Sequence, residues 1–148
     1  MENFRPNIKT LPVSELFDYI QKFFGHTEKV TFTFNTPPGL VVTTDENYLR
    51  TIMQNLTSNA IRALKNTPNG SIEWKAKKEG DKTILSITDN GPGIAPEQAK
   101  VLFDDSVANN TKNGLGLHLI RDLAKAIQYK IAVRSEQGGG TTFTLTNA

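Results

Sequence analysis

Residues 45–65, DENYLRTIMQNLTSNAIRALK, decide the fold. Asp45 is suited to cap the start of a helix, and Asn66, Pro68 and Gly70 stop it. At about 100° per residue, Leu49, Ile52, Met53, Leu56, Ala60, Ala63 and Leu64 fall in one stripe, which predicts a long helix with that stripe in the core. On the same wheel Asn55, Asn59 and Arg62 cluster along one border of the stripe. Arg50, Gln54, Thr57, Ser58 and Lys65 are placed on the solvent side.

Beyond this helix the pattern changes to period two. Ile72, Trp74 and Ala76 predict one strand, Glu79-Gly80-Asp81 a turn, and Leu85, Ile87 and Asp89 one face of the return strand, broken by Gly91-Pro92-Gly93. Pro96 to Phe103 reads as a short helix and the polar stretch from Asp104 to Asn113 as a loop. A further helix starts around Gly114 to Gly116, with Leu117, Ile120, Leu123, Ala124 and Ile127 on its apolar side. Strands near Ile131 to Ser135 and Thr141 to Thr146 close the chain. Before the long helix come a short strand near Ile8, a helix carrying Leu16, Phe17, Ile20, Phe23 and Phe24, and two strands around the turn Pro37-Pro38-Gly39. Strand pairs interleaved with three substantial helices predict an α+β, two-layer α/β sandwich, its mixed and mostly antiparallel sheet covered on one face by the helices.

The chain has 148 residues, 37% of them hydrophobic and 22% charged, the balance of a single folded domain, so residues 1–148 are expected to form one unit. Seventeen Lys and Arg against fifteen Asp and Glu leave a net charge of +2, too small to point to nucleic acid. Cysteine is absent, which excludes disulfide frameworks and cysteine-based zinc sites. No apolar run approaches the roughly 20 residues of a membrane span, so no membrane contact by this chain is expected, and a cytoplasmic location fits, as it also does for a piece of a full-length protein anchored in the inner membrane.

Three groups carry candidate chemistry. Asn55 and Asn59 offer uncharged carbonyl oxygens, hard ligands suited to Mg²⁺ when phosphates supply the negative charge; the alternative is a solvated pair bonding a nearby loop. Asp89 follows two apolar same-face residues, so its carboxylate is directed to the core side and needs a donor. The exocyclic amine of adenine is a fitting one, and the competing reading is a turn closing a strand. Gly114-Leu115-Gly116 opens a helix, where unpaired amides and the positive dipole end attract phosphate and Lys112 adds charge; a Gly-x-Gly is also a common packing device.

Together these residues resemble the catalytic and ATP-binding domain of sensor histidine kinases, in the superfamily shared with gyrase, heat-shock chaperone ATPases and mismatch-repair ATPases, the Bergerat ATP-binding fold. Asn55-Leu56-Thr57-Ser58-Asn59-Ala60-Ile61-Arg62 is similar to the N box, Asp89-Asn90-Gly91-Pro92-Gly93-Ile94 to the first glycine box and Gly114-Leu115-Gly116-Leu117 to the second. The resemblance implies Asn59 as the main Mg²⁺ ligand with Asn55 beside it, Asp89 as acceptor of the adenine amine, and residues 104–113 as a lid over the phosphates. It further implies nucleotide contacts from Arg62, Gly91, Gly93, Ile94, Phe103, Lys112, Asn113, Gly114, Leu115, Gly116 and Leu117, and from Thr141 through water. Asn55, Arg62 and Lys112 are assigned to the catalytic chemistry. Arg62 stands where lysine is common, and Lys112 where glycine is.

Hydrolysing members of the superfamily carry a glutamate four residues before the metal-binding asparagine. This chain has Asn55 there, and an amide is no general base at neutral pH. The resemblance therefore implies transfer of the γ-phosphoryl group of ATP to a histidine, supplied by a dimerisation and phosphoacceptor domain of the same full-length protein. A response regulator receiver domain follows indirectly, residues 1–11 follow the acceptor domain, and this piece is expected to be monomeric. His26 and His118 lack the acidic neighbour of an acceptor motif, and His118 reads as a helix-surface or packing residue. Two other functions stay open: a degenerate nucleotide-binding or docking module, and a serine kinase of the anti-sigma-factor type.

Overall fold

In the computed structural model, which describes residues 5–95, 100, 116–136 and 138–147, the run after Asp45 forms the longest helix, α2 (Glu46–Ala63). The Asp45 carboxylate accepts from the Tyr48 amide at 3.0 Å, satisfying one of the orphan donors of the first turn. Its other oxygen accepts from the Asn7 amide at 2.6 Å, so one side chain ties the start of the described chain to the start of α2. Leu49, Ile52, Met53, Leu56, Ala60 and Leu64 are buried as the periodicity predicts, and Ala63 is half-buried.

Four elements precede α2 among the described residues, the first two being β1 (Ile8–Pro12) and α1 (Val13–Phe24). Val13, Leu16, Phe17 and Ile20 fill one face of α1, and the Leu40 carbonyl accepts from the Val13 amide at its first turn. Next come β2 (Val30–Asn35) and β3 (Val41–Asp45). After α2 follow the hairpin β4 (Gly70–Glu79) and β5 (Lys82–Asp89), then α3 (Leu117–Ala126), β6 (Tyr129–Glu136) and β7 (Gly140–Asn147). The five-stranded sheet has the order β2-β4-β5-β7-β6, with β2 parallel to β4 and every other pair antiparallel. The fold is the expected α+β sandwich, with a mixed, mostly antiparallel sheet and, among the described residues, three helices.

Two details differ from the sequence reading. The strands around Pro37-Pro38-Gly39 do not pair with each other: β3 runs antiparallel to β1 in a separate two-stranded ladder, while β2 joins the main sheet. A parallel neighbour needs a crossover connection, and α2 supplies it between β2 and β4. Thr57, placed on the solvent side of the helix wheel, is fully buried. Its hydroxyl donates to the Met53 carbonyl at 2.7 Å and accepts from the indole N–H of Trp74 at 3.1 Å. Trp74 sits at the centre of the core on β4, 6.1 Å from the Phe17 ring, and its N–H needs an acceptor that an apolar helix face lacks. The expected helix at 96–103 and the loop at 104–113 fall outside the described residues.

Candidate nucleotide site

One end of the sheet meets the second half of α2 in a cleft of about 170 Å³. Leu56, Ala60 and Ala63 form its helical wall, Ile87 and Phe143 its floor, and Pro92, Gly93 and Ile94 its rim. Four polar residues interrupt this apolar lining: Asp89, Thr141, Asn59 and Arg62. An apolar slot with a few fixed polar groups is the usual character of a small-molecule site.

Asp89 ends β5, 6% exposed, with Ile72 and Thr141 as its partners across the sheet. Its Oδ1 accepts from the Gly91 amide at 2.8 Å, and the Thr141 amide also donates to the carboxylate. Burial is the larger influence and holds the acid above the usual carboxylate range, with the two amides offsetting part of that rise. Amides from one side leave the remaining acceptor capacity of the carboxylate for the cleft.

The loop after Asp89 is pinned from both sides. Gly93 adopts φ +91°, and a Cβ there would come within 2.7 Å of the Glu136 carbonyl and 2.8 Å of Ser135 Oγ. Only glycine fits this close approach. The Ile94 amide donates to Ser135 Oγ at 2.8 Å, and the Gly138 amide donates to the Pro92 carbonyl at 2.9 Å. Asn90 faces the other way. Its Oδ1 accepts from the Ser71 amide at 2.7 Å and its Nδ2 donates to the Asn69 carbonyl at 3.0 Å, which closes the β4–β5 end.

Asn59 is 8% exposed and lines the cleft; its Nδ2 is buried and has no hydrogen-bond partner among the described residues. Such an orphaned donor is costly unless an acceptor on a ligand engages it. Asn55, one turn earlier, donates from Nδ2 to the Thr51 carbonyl at 2.7 Å, and its Oδ1 lies 3.3 Å from where a Cβ on Gly116 would stand. Gly116 caps α3 at φ +64°, so the start of that helix abuts the N-box side of α2. Among the described residues no group of three or more His, Asp or Glu side chains could hold a metal. A divalent cation at this place would rest on amide oxygens and on its own ligand's phosphates.

The structure thus brings Asn59, Arg62, Asp89, Gly93, Ile94 and Thr141 to one cleft, with Gly91 bonded to Asp89 beside it and Asn55 and Gly116 adjoining. Leu117 points into the core, buried with Ile120 and Ala124. Both ring nitrogens of His118 are buried without a hydrogen-bond partner among the described residues. Phe103, Lys112, Asn113, Gly114 and Leu115 lie outside the described residues. Sequence reasoning missed Ser135 and Asn90. The signal for Ser135 was a hydroxyl at an inward position of the alternation Ile131, Val133, Ser135, and Asn90 was read as part of a ligand loop although it braces the sheet.

The family of histidine kinase-, DNA gyrase B- and HSP90-like ATPases matches residues 44–147. The autoinducer 2 sensor kinase/phosphatase LuxQ of Vibrio harveyi is 33% identical over 122 residues, 74% of this chain and 14% of LuxQ. The aerobic respiration control sensor protein ArcB of Escherichia coli K12 is 38% identical over 126 residues, 76% of this chain and 16% of ArcB. The chain therefore spans about a seventh of these relatives. The nucleotide-free catalytic domain of the histidine kinase ThkA superposes with a TM-score of 0.80 over 95% of both chains at 24% identity, a likeness of fold. On the match over residues 44–147 the chain belongs to the histidine kinase-, DNA gyrase B- and HSP90-like ATPase family, and its sequence relatives are sensor kinases and sensor proteins.

Proposed function

We propose that this chain binds Mg-ATP in the cleft between α2 and the β5–β7 end of the sheet, and presents the γ-phosphoryl group to a histidine of a separate dimerisation and phosphoacceptor domain. The observation that carries the reading is the buried Asp89 carboxylate, held by two amides at the end of an apolar slot of a domain of this family. A flat heterocycle fills the slot between Ala60 and Ile94, with its amine on Asp89 and Thr141 beside it. The sugar and phosphates then leave the slot past Asn59 and Arg62. The residues fit a magnesium ion by the chemistry of their donors: the uncharged amide oxygen of Asn59, which lines the cleft, with that of Asn55 beside it, would hold it together with the phosphates. When bound, the ion neutralises charge on the phosphates being transferred.

What the chain supplies is position rather than a base. Asn55 occupies the place where a hydrolase of the superfamily keeps its glutamate, and its amide donates to the Thr51 carbonyl. Neither Asn55 nor Asn59 takes a proton from water at neutral pH, so the nucleophile has to arrive already activated from the acceptor domain. The expected result with γ-labelled ATP is no label and little phosphate release from this chain alone, and acid-labile label on an added histidine-bearing acceptor domain. Label on this chain, acid-stable label on the acceptor, or rapid phosphate release by the chain alone would overturn the reading. A receiver domain of a response regulator is the onward partner of that histidine.

A further inference from the structure

Ser135 lies on β6 outside every motif read from the sequence, and its hydroxyl meets three groups, two of them on residues that line the cleft. The Ile94 amide donates to it at 2.8 Å, the Thr141 hydroxyl is 3.2 Å away and the Gly140 carbonyl 3.5 Å away. A serine hydroxyl has one proton and two acceptor positions, and Ile94 occupies one of the latter. The Gly140 carbonyl stands at the outer limit of a hydrogen bond, so the nearer Thr141 Oγ1 is the better acceptor for the single proton. With that proton on the Ser135–Thr141 line, Thr141 keeps its own proton for the cleft that it lines with Asp89.

Resting on the nucleotide reading above, we infer that Ser135 is a specificity-determining positioning residue, which sets Thr141 as a donor beside the acceptor Asp89 and thereby selects a 6-aminopurine over a 6-oxopurine. A 6-aminopurine presents an amine donor next to a ring nitrogen acceptor, the complement of Asp89 and Thr141. A 6-oxopurine presents an oxygen acceptor next to a ring N–H, which sets acceptor against acceptor and donor against donor. Sites built on such paired polar groups discriminate because the wrong ligand leaves buried partners unanswered. Ser135 touches neither base in this account and acts through Thr141.

The test measures equilibrium binding of Mg-ATP and Mg-GTP to the whole chain and to Ser135→Ala, Ser135→Thr, Thr141→Val and the Ser135→Ala/Thr141→Val double variant, with folding checked by circular dichroism. Ser135→Ala is expected to narrow the ATP-to-GTP preference by about tenfold, the weight of one well-placed hydrogen bond. Ser135→Thr, which restores the hydroxyl, should return most of the preference, and in the Thr141→Val background Ser135→Ala should leave the ratio unchanged. Equal weakening of both nucleotides, or the same change of ratio with and without the Thr141 hydroxyl, would reduce Ser135 to an anchor of the Ile94 loop and overturn the inference. A folded wild-type chain that binds neither nucleotide would instead overturn the reading beneath it.

Discussion

Asp89→Asn is expected to weaken Mg-ATP binding by about 100-fold or more while leaving the domain folded. The carboxylate makes a charge-assisted bond to a donor in the cleft, worth about 1.5–3 kcal/mol, and each 1.4 kcal/mol is tenfold in affinity. An amide in its place also turns an N–H toward a donor, either toward the ligand or toward the Gly91 and Thr141 amides that the carboxylate now satisfies. The pH dependence follows from the same burial. The folded pKa of Asp89 lies above its unfolded value, so protonation on acidification favours the folded state, and ionisation as pH rises through the folded pKa costs it stability. Ligand affinity runs the opposite way: it falls as Asp89 takes up its proton, at a pH above the range where exposed carboxylates titrate. Calorimetric titrations across that interval check this, and the acid-dependent loss should be absent in Asp89→Asn.

Trp74→Ala is expected to lower the unfolding free energy by about 3–5 kcal/mol, the usual consequence of removing a large buried aromatic side chain. Trp74 is fully buried, packs on Phe17 and donates to Thr57 Oγ1, so the variant leaves both a cavity and a hydroxyl without its donor. Urea denaturation read by far-ultraviolet circular dichroism measures the loss, and a change under about 1 kcal/mol would contradict the packing described. The link to function is rotational. Thr57 and Asn59 are two residues apart, about 200° around the helix. Pinning Thr57 to Trp74 on the sheet fixes which side of α2 faces the cleft, and Asn59 and Arg62 are on that side.

Much of this architecture is legible in the chain because its signals are local. The 3.6-residue stripe from Leu49 to Leu64, the Asp45 cap and the alternation on β4 and β5 each depend on neighbours a few residues away. The partners of β2 and β3 are not legible in this way. Whether Val30–Asn35 lies beside Val41–Asp45 or beside Gly70–Lys75 is decided by contacts across 40 residues of chain. Thr57 failed for a related reason: a helix wheel assigns a polar residue to solvent, and only the distant indole of Trp74 makes burial of its hydroxyl favourable. At the site, Asp89 and Asn59 stood out by type and spacing. Ser135 did not, because its meaning lies in bonds to Ile94 and Thr141 that form only when β6, β7 and the glycine loop close on one another.

The most direct test of the central claim is a titration of the isotopically labelled chain with Mg-ATP, followed residue by residue in amide NMR spectra. The account predicts saturable changes concentrated on Asn59, Arg62, Gly91, Gly93, Ile94 and Thr141, while β1 and the distant turn at Gly80 stay still. A folded chain whose amides do not move, or whose changes gather away from the α2–β5 cleft, would contradict it.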